Sequence, residues 1–161
     1  MASKKVLLLG DGAVGKTSLV HRFVEGQFKE KYKATIGVDI FSKNVGGMEL
    51  QLWDLSGQEH FVSVRSKFYS KSDGALLVFD LTNQRSFDNL DSWIKEATKG
   101  VGSEIPMVVL GNKLDLTDLI VIKDDDVNSF ASKHNWKWMK SSAKSGEGVE
   151  VAFETIAKIL A

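Results

Sequence analysis

Gly10-Asp11-Gly12-Ala13-Val14-Gly15-Lys16-Thr17 decides how this chain reads. Two glycines five apart, followed by Lys-Thr, fit the phosphate-loop pattern. Val6-Leu7-Leu8-Leu9 precedes it as a buried strand, and Leu19, Val20 and Phe23 follow at helical spacing. In that context the glycines let backbone N–H groups turn inward around an anion, and the helix N-terminus adds the positive end of its dipole. Asp11, Gly12, Ala13, Val14, Gly15, Lys16, Thr17 and Ser18 are therefore candidate phosphate-binding residues. Lys16 is placed to reach the β- and γ-phosphates, and the Thr17 hydroxyl to hold Mg²⁺.

The chain around this loop is an ordinary globular one. Its 161 residues are 43% hydrophobic and 26% charged, enough for one domain with a sizeable core. Lys plus Arg equals Asp plus Glu at 21 each, which argues against nucleic acid as the main partner. No cysteine is present, so disulfides, thiol catalysis, and prenyl or palmitoyl anchors within these residues are excluded. Ala2 stands where N-myristoylation would need glycine. No apolar run approaches the ~20 residues of a membrane span, and Met1 to Lys5 leads straight into the first strand instead of forming a signal peptide. The expectation is one cytoplasmic domain over residues 1–161, without a linker.

Along the chain, apolar periodicity alternates between strand and helix. The polar, Lys-rich stretch 26–34 reads as a loop. Residues 36–41 and 48–53 read as strands, and Gly46-Gly47 between them is a hairpin signal. Strands 2 and 3 should therefore be antiparallel, with strand 2 at the edge. Residues 54–69 read as a loop passing into a short helix. Residues 75–79 and 107–110 are apolar runs of the kind buried on both sheet faces, and 136–139 is a short strand. Helices are expected over 86–99, from Asp124-Asp125-Asp126 through Ala131, and from Val149 to Leu160. The three aspartates suit a helix N-terminus. Alternating strands and helices imply a mostly parallel sheet covered on both faces, with ligands at the carboxyl ends of the strands.

Each further motif falls at such an end. Asp54-Leu55-Ser56-Gly57-Gln58 follows strand 3. Asp54 suits a carboxylate acting on Mg²⁺ through water, Gly57 can present its N–H to a terminal phosphate, and Gln58 can orient an attacking water. Asn112-Lys113-Leu114-Asp115 follows strand 5. The Asp115 carboxylate can accept from both N1–H and N2–H of guanine; adenine offers no such donor pair, so a buried carboxylate would be left unpaired. Asn112 can tie this loop to the phosphate loop, and the Lys113 stem can cover the base. Ser142-Ala143-Lys144 can offer backbone N–H groups to the guanine O6. Phe28 can pack edge-on against the base or serve as a core residue. Thr35 can bind Mg²⁺ when a γ-phosphate draws its loop in, which would make it a sensor of GTP against GDP.

Together these motifs resemble a small Ras-superfamily GTPase, most like the Rab branch, over the full length and in family order. Trp53-Asp54 to Gln58 is similar to the Rab-type second switch, and Ile36-Gly37-Val38-Asp39 to the segment after the first. Lys67-Phe68-Tyr69 and Ser86-Phe87-Asp88 to Trp93 are similar to segments of Rab-like proteins fused to a J-domain. The resemblance implies an α/β P-loop G domain: a six-stranded, mostly parallel sheet with one antiparallel edge strand and helices on both faces. It implies a monomeric switch that binds GTP or GDP with Mg²⁺, with Thr17, Thr35 and Asp54 at the metal and Lys16, Thr35 and Gln58 in hydrolysis. It also implies effectors at the two switches, an activating protein and an exchange factor, and a role in vesicle traffic. Ile36, Val38, Trp53, Phe61 and Tyr69 are the candidate effector surface, with core packing as the alternative for Trp53 and Tyr69. Arg65 reads as an exposed helix arginine.

Ser56 departs from the alanine usual in the family, and hydrolysis is expected to be near normal despite it. The lipidated C-terminal tail is missing, so the chain is either cut at its last helix or one of the unlipidated relatives. A GTP-binding interaction module with little turnover is the rival reading. An ATPase or small-molecule kinase is a weaker one, because Asn112 to Asp115 points to guanine. Gly12→Val should block an arginine supplied by the activator and so remove most of an acceleration of about 10³–10⁵-fold. Phosphate release measured alone and with activator checks this; normal rates in both would contradict it.

Overall fold

The computed structural model describes residues 2–26, 38–55 and 62–161, apart from the side chains of Val62 and Val64. Strand β1 (Ser3–Leu9) leads through the glycine loop into α1 (Lys16–Glu25). Strands β2 (Val38–Val45) and β3 (Met48–Leu55) form the expected hairpin. Gly46 and Gly47 take φ of 57° and 81°, the double positive φ that a two-residue turn matching the strand twist requires. A short helix α2 (Val62–Arg65) and a 3₁₀ turn over Ser66–Phe68 lead to β4 (Gly74–Asp80). Then follow α3 (Gln84–Asp88), α4 (Leu90–Val101), β5 (Met107–Asn112), α5 (Asp124–Lys133), β6 (Lys137–Lys140) and α6 (Val149–Leu160).

The six strands lie in the order β2-β3-β1-β4-β5-β6. Only the β2–β3 pair is antiparallel, so β2 is the expected antiparallel edge. Alternation along β1 divides the core. Val6 and Leu8 face α1 and α6, where Phe23 and Phe153 stack with centroids 4.1 Å apart. Leu7 and Leu9 face the other side, with Leu90, Trp93, Ala97, Val127 and Ala131 of α4 and α5. Residues pointing both ways from β1, β4 and β5 are buried, as the continuous apolar runs required.

Several details differ from the sequence reading. The helix expected over 86–99 starts earlier, at Gln84, where the Asn83 side chain accepts from the Ser86 N–H. It is also interrupted at Asn89, whose side chain leaves the helix surface to donate to Asp11. Strand β6 is shifted one residue towards the C-terminus. Tyr69 is fully buried in the second core and leaves the candidate effector surface; Val38 and Trp53 are half-buried beside that core. Ile36 and Phe61 lie outside the described residues.

Gly100, within α4, faces the Tyr69 ring. A Cβ there would lie 2.4 Å from Tyr69 Cδ2 and 2.6 Å from its Cβ and Cγ. Gly→Ala in an exposed helix interior stabilises by about 1 kcal/mol, but this contact reverses the sign. Gly100→Ala is expected to destabilise by about 1–3 kcal/mol, read from the urea midpoint. A raised midpoint would show that Tyr69 does not pack there.

Candidate functional site

All the described motifs meet at the carboxyl edge of the sheet. The loop after β1 turns there because its glycines permit it. Gly10 has φ 145°, and a Cβ on it would lie 2.1 Å from the Val78 carbonyl oxygen. Gly15 has φ 99°, and a Cβ there would lie 2.3 Å from Asn112 Nδ2. Gly15 is also the residue before α1 and offers no side-chain cap, and the first turn of α1 carries no acid. The helix end is thus turned towards the loop with its N–H groups uncapped by a side chain, which suits an anion. Gly12 and Ala13 are exposed at the loop crest, and Ser18 is half-buried in the first turn.

Lys16 folds back into this loop. Its Nζ donates to the carbonyls of Gly10 at 2.7 Å and Asp11 at 3.1 Å, and the residue is buried. Burial pushes the ammonium down to about 8, against the pull of the Asp54 and Asp11 carboxylates upward; Arg65 adds to the lowering. Beside it, Thr17 Oγ1 donates to Asp54 Oδ2 at 2.5 Å, and Asp54 is fully buried. A hydroxyl and a carboxylate are the hard oxygen donors Mg²⁺ takes, and Mg²⁺ is commonly held by few protein groups plus substrate phosphates. These residues fit that ion.

The base-side loops are locked to the phosphate loop by one buried amide. Asn112 Nδ2 donates to the Val14 carbonyl at 2.9 Å, and its Oδ1 accepts from Ser141 Oγ at 3.2 Å. Lys113, at φ 70°, lays its stem across the loop. Its Nζ donates to the Ala13 carbonyl at 2.7 Å and pairs with Asp80 Oδ2 at 3.0 Å. Asp115 is exposed at the mouth, with Oδ1 accepting from the buried Ser142 Oγ at 2.7 Å. Ser142 Oγ in turn accepts from the Ser145 N–H. Ala143 is buried and Lys144 exposed, and their carbonyls are gripped by Arg22 at 3.0 and 2.6 Å.

A sequence model described as the Ras family matches residues 5–161. The chain belongs to the Ras family. Among curated proteins it is similar to Ras-related protein Rab-26 of Rattus norvegicus, at 41% identity over 97% of this chain and 63% of the relative. Rab-7a of Paramecium octaurelia is 39% identical over 98% and 81%, and Rab-1 of Theileria annulata 38% over 97% and 73%. The chain is thus a Rab-like small GTPase of the Ras superfamily.

The Rab-like site brings together Asp11, Gly12, Ala13, Val14, Gly15, Lys16, Thr17, Ser18, Asp54, Asn112, Lys113, Asp115, Ser142, Ala143 and Lys144. Phe28, Thr35, Ser56, Gly57 and Gln58 lie outside the described residues. Asp11 contributes backbone and not side chain to the loop: its carboxylate accepts from Asn89 Nδ2 at 2.7 Å and Trp93 Nε1 at 2.8 Å. Arg65 is corrected. It is buried, with its fork on Glu96, because a carboxylate and an indole face await it on α4. Sequence reasoning missed Arg22, Asp80 and Glu96; each is a common charged residue whose partner is fixed by tertiary structure, not by spacing. No helix among the described residues is long and apolar enough to cross a membrane.

The depressed Lys16 ties the stability of the fold to pH. An unfolded lysine titrates near 10.5 and this one near 8, so between those values the nucleotide-free fold holds fewer protons than the unfolded chain. Its stability therefore rises with pH across that window. Relative to a Lys16→Met variant, which lacks the titrating ammonium, the nucleotide-free wild type should gain stability as pH rises from about 8 towards 10. Urea midpoints of both proteins across this range read it; a difference between them that does not change with pH would contradict it.

Proposed function

We propose that this protein is a guanine-nucleotide switch that binds GTP or GDP with Mg²⁺ and hydrolyses GTP slowly. The observation that carries the reading is the Asn112 amide, which joins a glycine cradle for phosphates to the loops bearing Asp115 and Ser142. One site then offers both an anion hole and a carboxylate that selects guanine. The Asp115 carboxylate accepts from the base N1–H and N2–H, oriented by Ser142. Backbone N–H groups of Ser142, Ala143 and Lys144 meet O6, and Phe28 packs against the base.

At the other end, Lys16 leaves its two carbonyl partners for the β- and γ-phosphates, where its charge offsets the charge growing on the transferring phosphoryl group. Thr17, Thr35 and Asp54 would hold Mg²⁺, which supplies further charge neutralisation when bound. Gln58 orients the attacking water, and the Gly57 N–H meets the terminal phosphate. Thr35 and Gln58 report the γ-phosphate to effector proteins. Hydrolysis awaits an activating protein with an arginine finger, and nucleotide release an exchange factor. The likeness to Rab-named proteins supports a cytoplasmic role in vesicle traffic, with the chain acting as a monomer.

Asp115→Asn tests the base assignment. The variant side chain presents a donor where guanine also donates, so GDP affinity should fall about 10²-fold or more. Xanthosine diphosphate, with a carbonyl at C2, should gain. Unchanged GDP affinity by fluorescent-nucleotide titration would overturn the assignment of Asp115.

A further inference from the structure

Arg22 sits in the last turn of α1, where an arginine ordinarily serves the carbonyls of its own helix end. One of its nitrogens does so: Nη1 donates to the Gly26 carbonyl at 3.1 Å. The other two leave the helix. Nε donates to the Ala143 carbonyl at 3.0 Å and Nη2 to the Lys144 carbonyl at 2.6 Å, 121 and 122 positions along the chain. Gly146, at φ 89°, leaves the guanidinium its room: a Cβ there would lie 3.2 Å from Nε and 3.4 Å from Nη2. One planar fork thus holds two successive peptide units of the loop after β6. In a trans peptide the carbonyl and the N–H point opposite ways, and no peptide bond among the described residues is cis. Holding the Lys144 carbonyl therefore aims the Ser145 N–H away from Arg22. That N–H donates to Ser142 Oγ at 3.0 Å, and Ser142 Oγ, fully buried, donates to Asp115 Oδ1 at 2.7 Å.

We infer that Arg22 is a positioning residue for guanine recognition, aiming the Asp115 carboxylate through the Lys144–Ser145 peptide and Ser142. Each link in this chain sets the direction of the next. The guanidinium is planar and its donors are fixed in a fork, so two carbonyls held at once define the orientation of the loop and not only its distance. The Ser142 hydroxyl has one proton and can rotate. With the Ser145 N–H on its lone pair, that proton is directed to Asp115. Linked hydrogen bonds polarise one another, so a cation at the head of the chain strengthens the bond at its foot. Asp115 is exposed at the mouth of the site, and Ser142 fixes one of its oxygens from below. The Ala143 carbonyl, held by Nε, aims the Lys144 N–H away from the arginine by the same peptide rule.

The inference rests on the proposed guanine site and makes a separate claim about how that site discriminates. Inosine diphosphate is the probe: its base keeps O6 and N1–H and lacks the N2 amino group that Asp115 would accept from. Arg22→Met keeps an apolar stem and loses the fork. It should narrow the preference for GDP over inosine diphosphate roughly fivefold, a coupling of the size found within one hydrogen-bond network. The preference between GTP and GDP, set at the phosphate end, should stay within about twofold. A merely structural role would weaken all three nucleotides alike. Arg22→Lys keeps the charge but cannot hold two carbonyls in one plane; it is the second variant if Arg22→Met does not fold, and should narrow the same preference in part. In a Ser142→Ala background the chain is already cut, so the arginine substitution should change that preference by less than about twofold. An unchanged preference for GDP over inosine diphosphate in a folded Arg22 variant would overturn the inference, as would full narrowing in the Ser142→Ala background. Wild-type protein that binds GDP no better than inosine diphosphate would sink the Asp115 reading and this inference with it, an outcome distinct from the other two.

Discussion

The Asn112 amide lies between three loops that have no covalent reason to be near one another. It donates to Val14 in the loop after β1 and accepts from Ser141 in the loop after β6, while its own backbone ends β5. Parallel pairing of β1, β4, β5 and β6 brings those loop roots to one edge, but pairing alone does not set the distance between them. Buried at 2% exposure, the amide cannot trade its partners for water, and leaving either one unmade would cost about 1–3 kcal/mol. Gly15 is bound to the same constraint, since any side chain there would occupy the place of the amide nitrogen.

Around that tie the electrostatics are balanced to receive an anion. Lys16 is buried against carbonyls, with the Asp54 and Asp11 carboxylates favouring its charge and desolvation opposing it. Thr17 and Asp54 hold each other in a short hydrogen bond. These contacts fix the ammonium, the hydroxyl and the carboxylate in the loop ahead of any ligand. Preorganisation of that kind is what lets fixed dipoles and charges stabilise a transferring phosphoryl group.

Much of this was legible in the sequence because it is local. The glycine loop, the strand before it and the helix after it are contiguous, so spacing alone specifies them. The Gly46-Gly47 turn and the buried runs of β4 and β5 follow from patterns of a few residues. What escaped was tertiary. Arg65 looked like a surface residue because nothing near it in sequence is acidic and apolar spacing in 62–69 is irregular; its carboxylate lies 31 positions away at Glu96. Asp11 was read from its place in the loop; that its carboxylate is taken by Asn89 and Trp93 could not be read from spacing. Tyr69 could be surface or core until Gly100 supplied the notch that takes its ring.

The central claim is that one site holds phosphates and selects guanine. Its most direct test is to denature the freshly purified protein and identify the released nucleotide by chromatography. The account predicts a guanine nucleotide, with GDP in excess because bound GTP is turned over. An adenine nucleotide would contradict it.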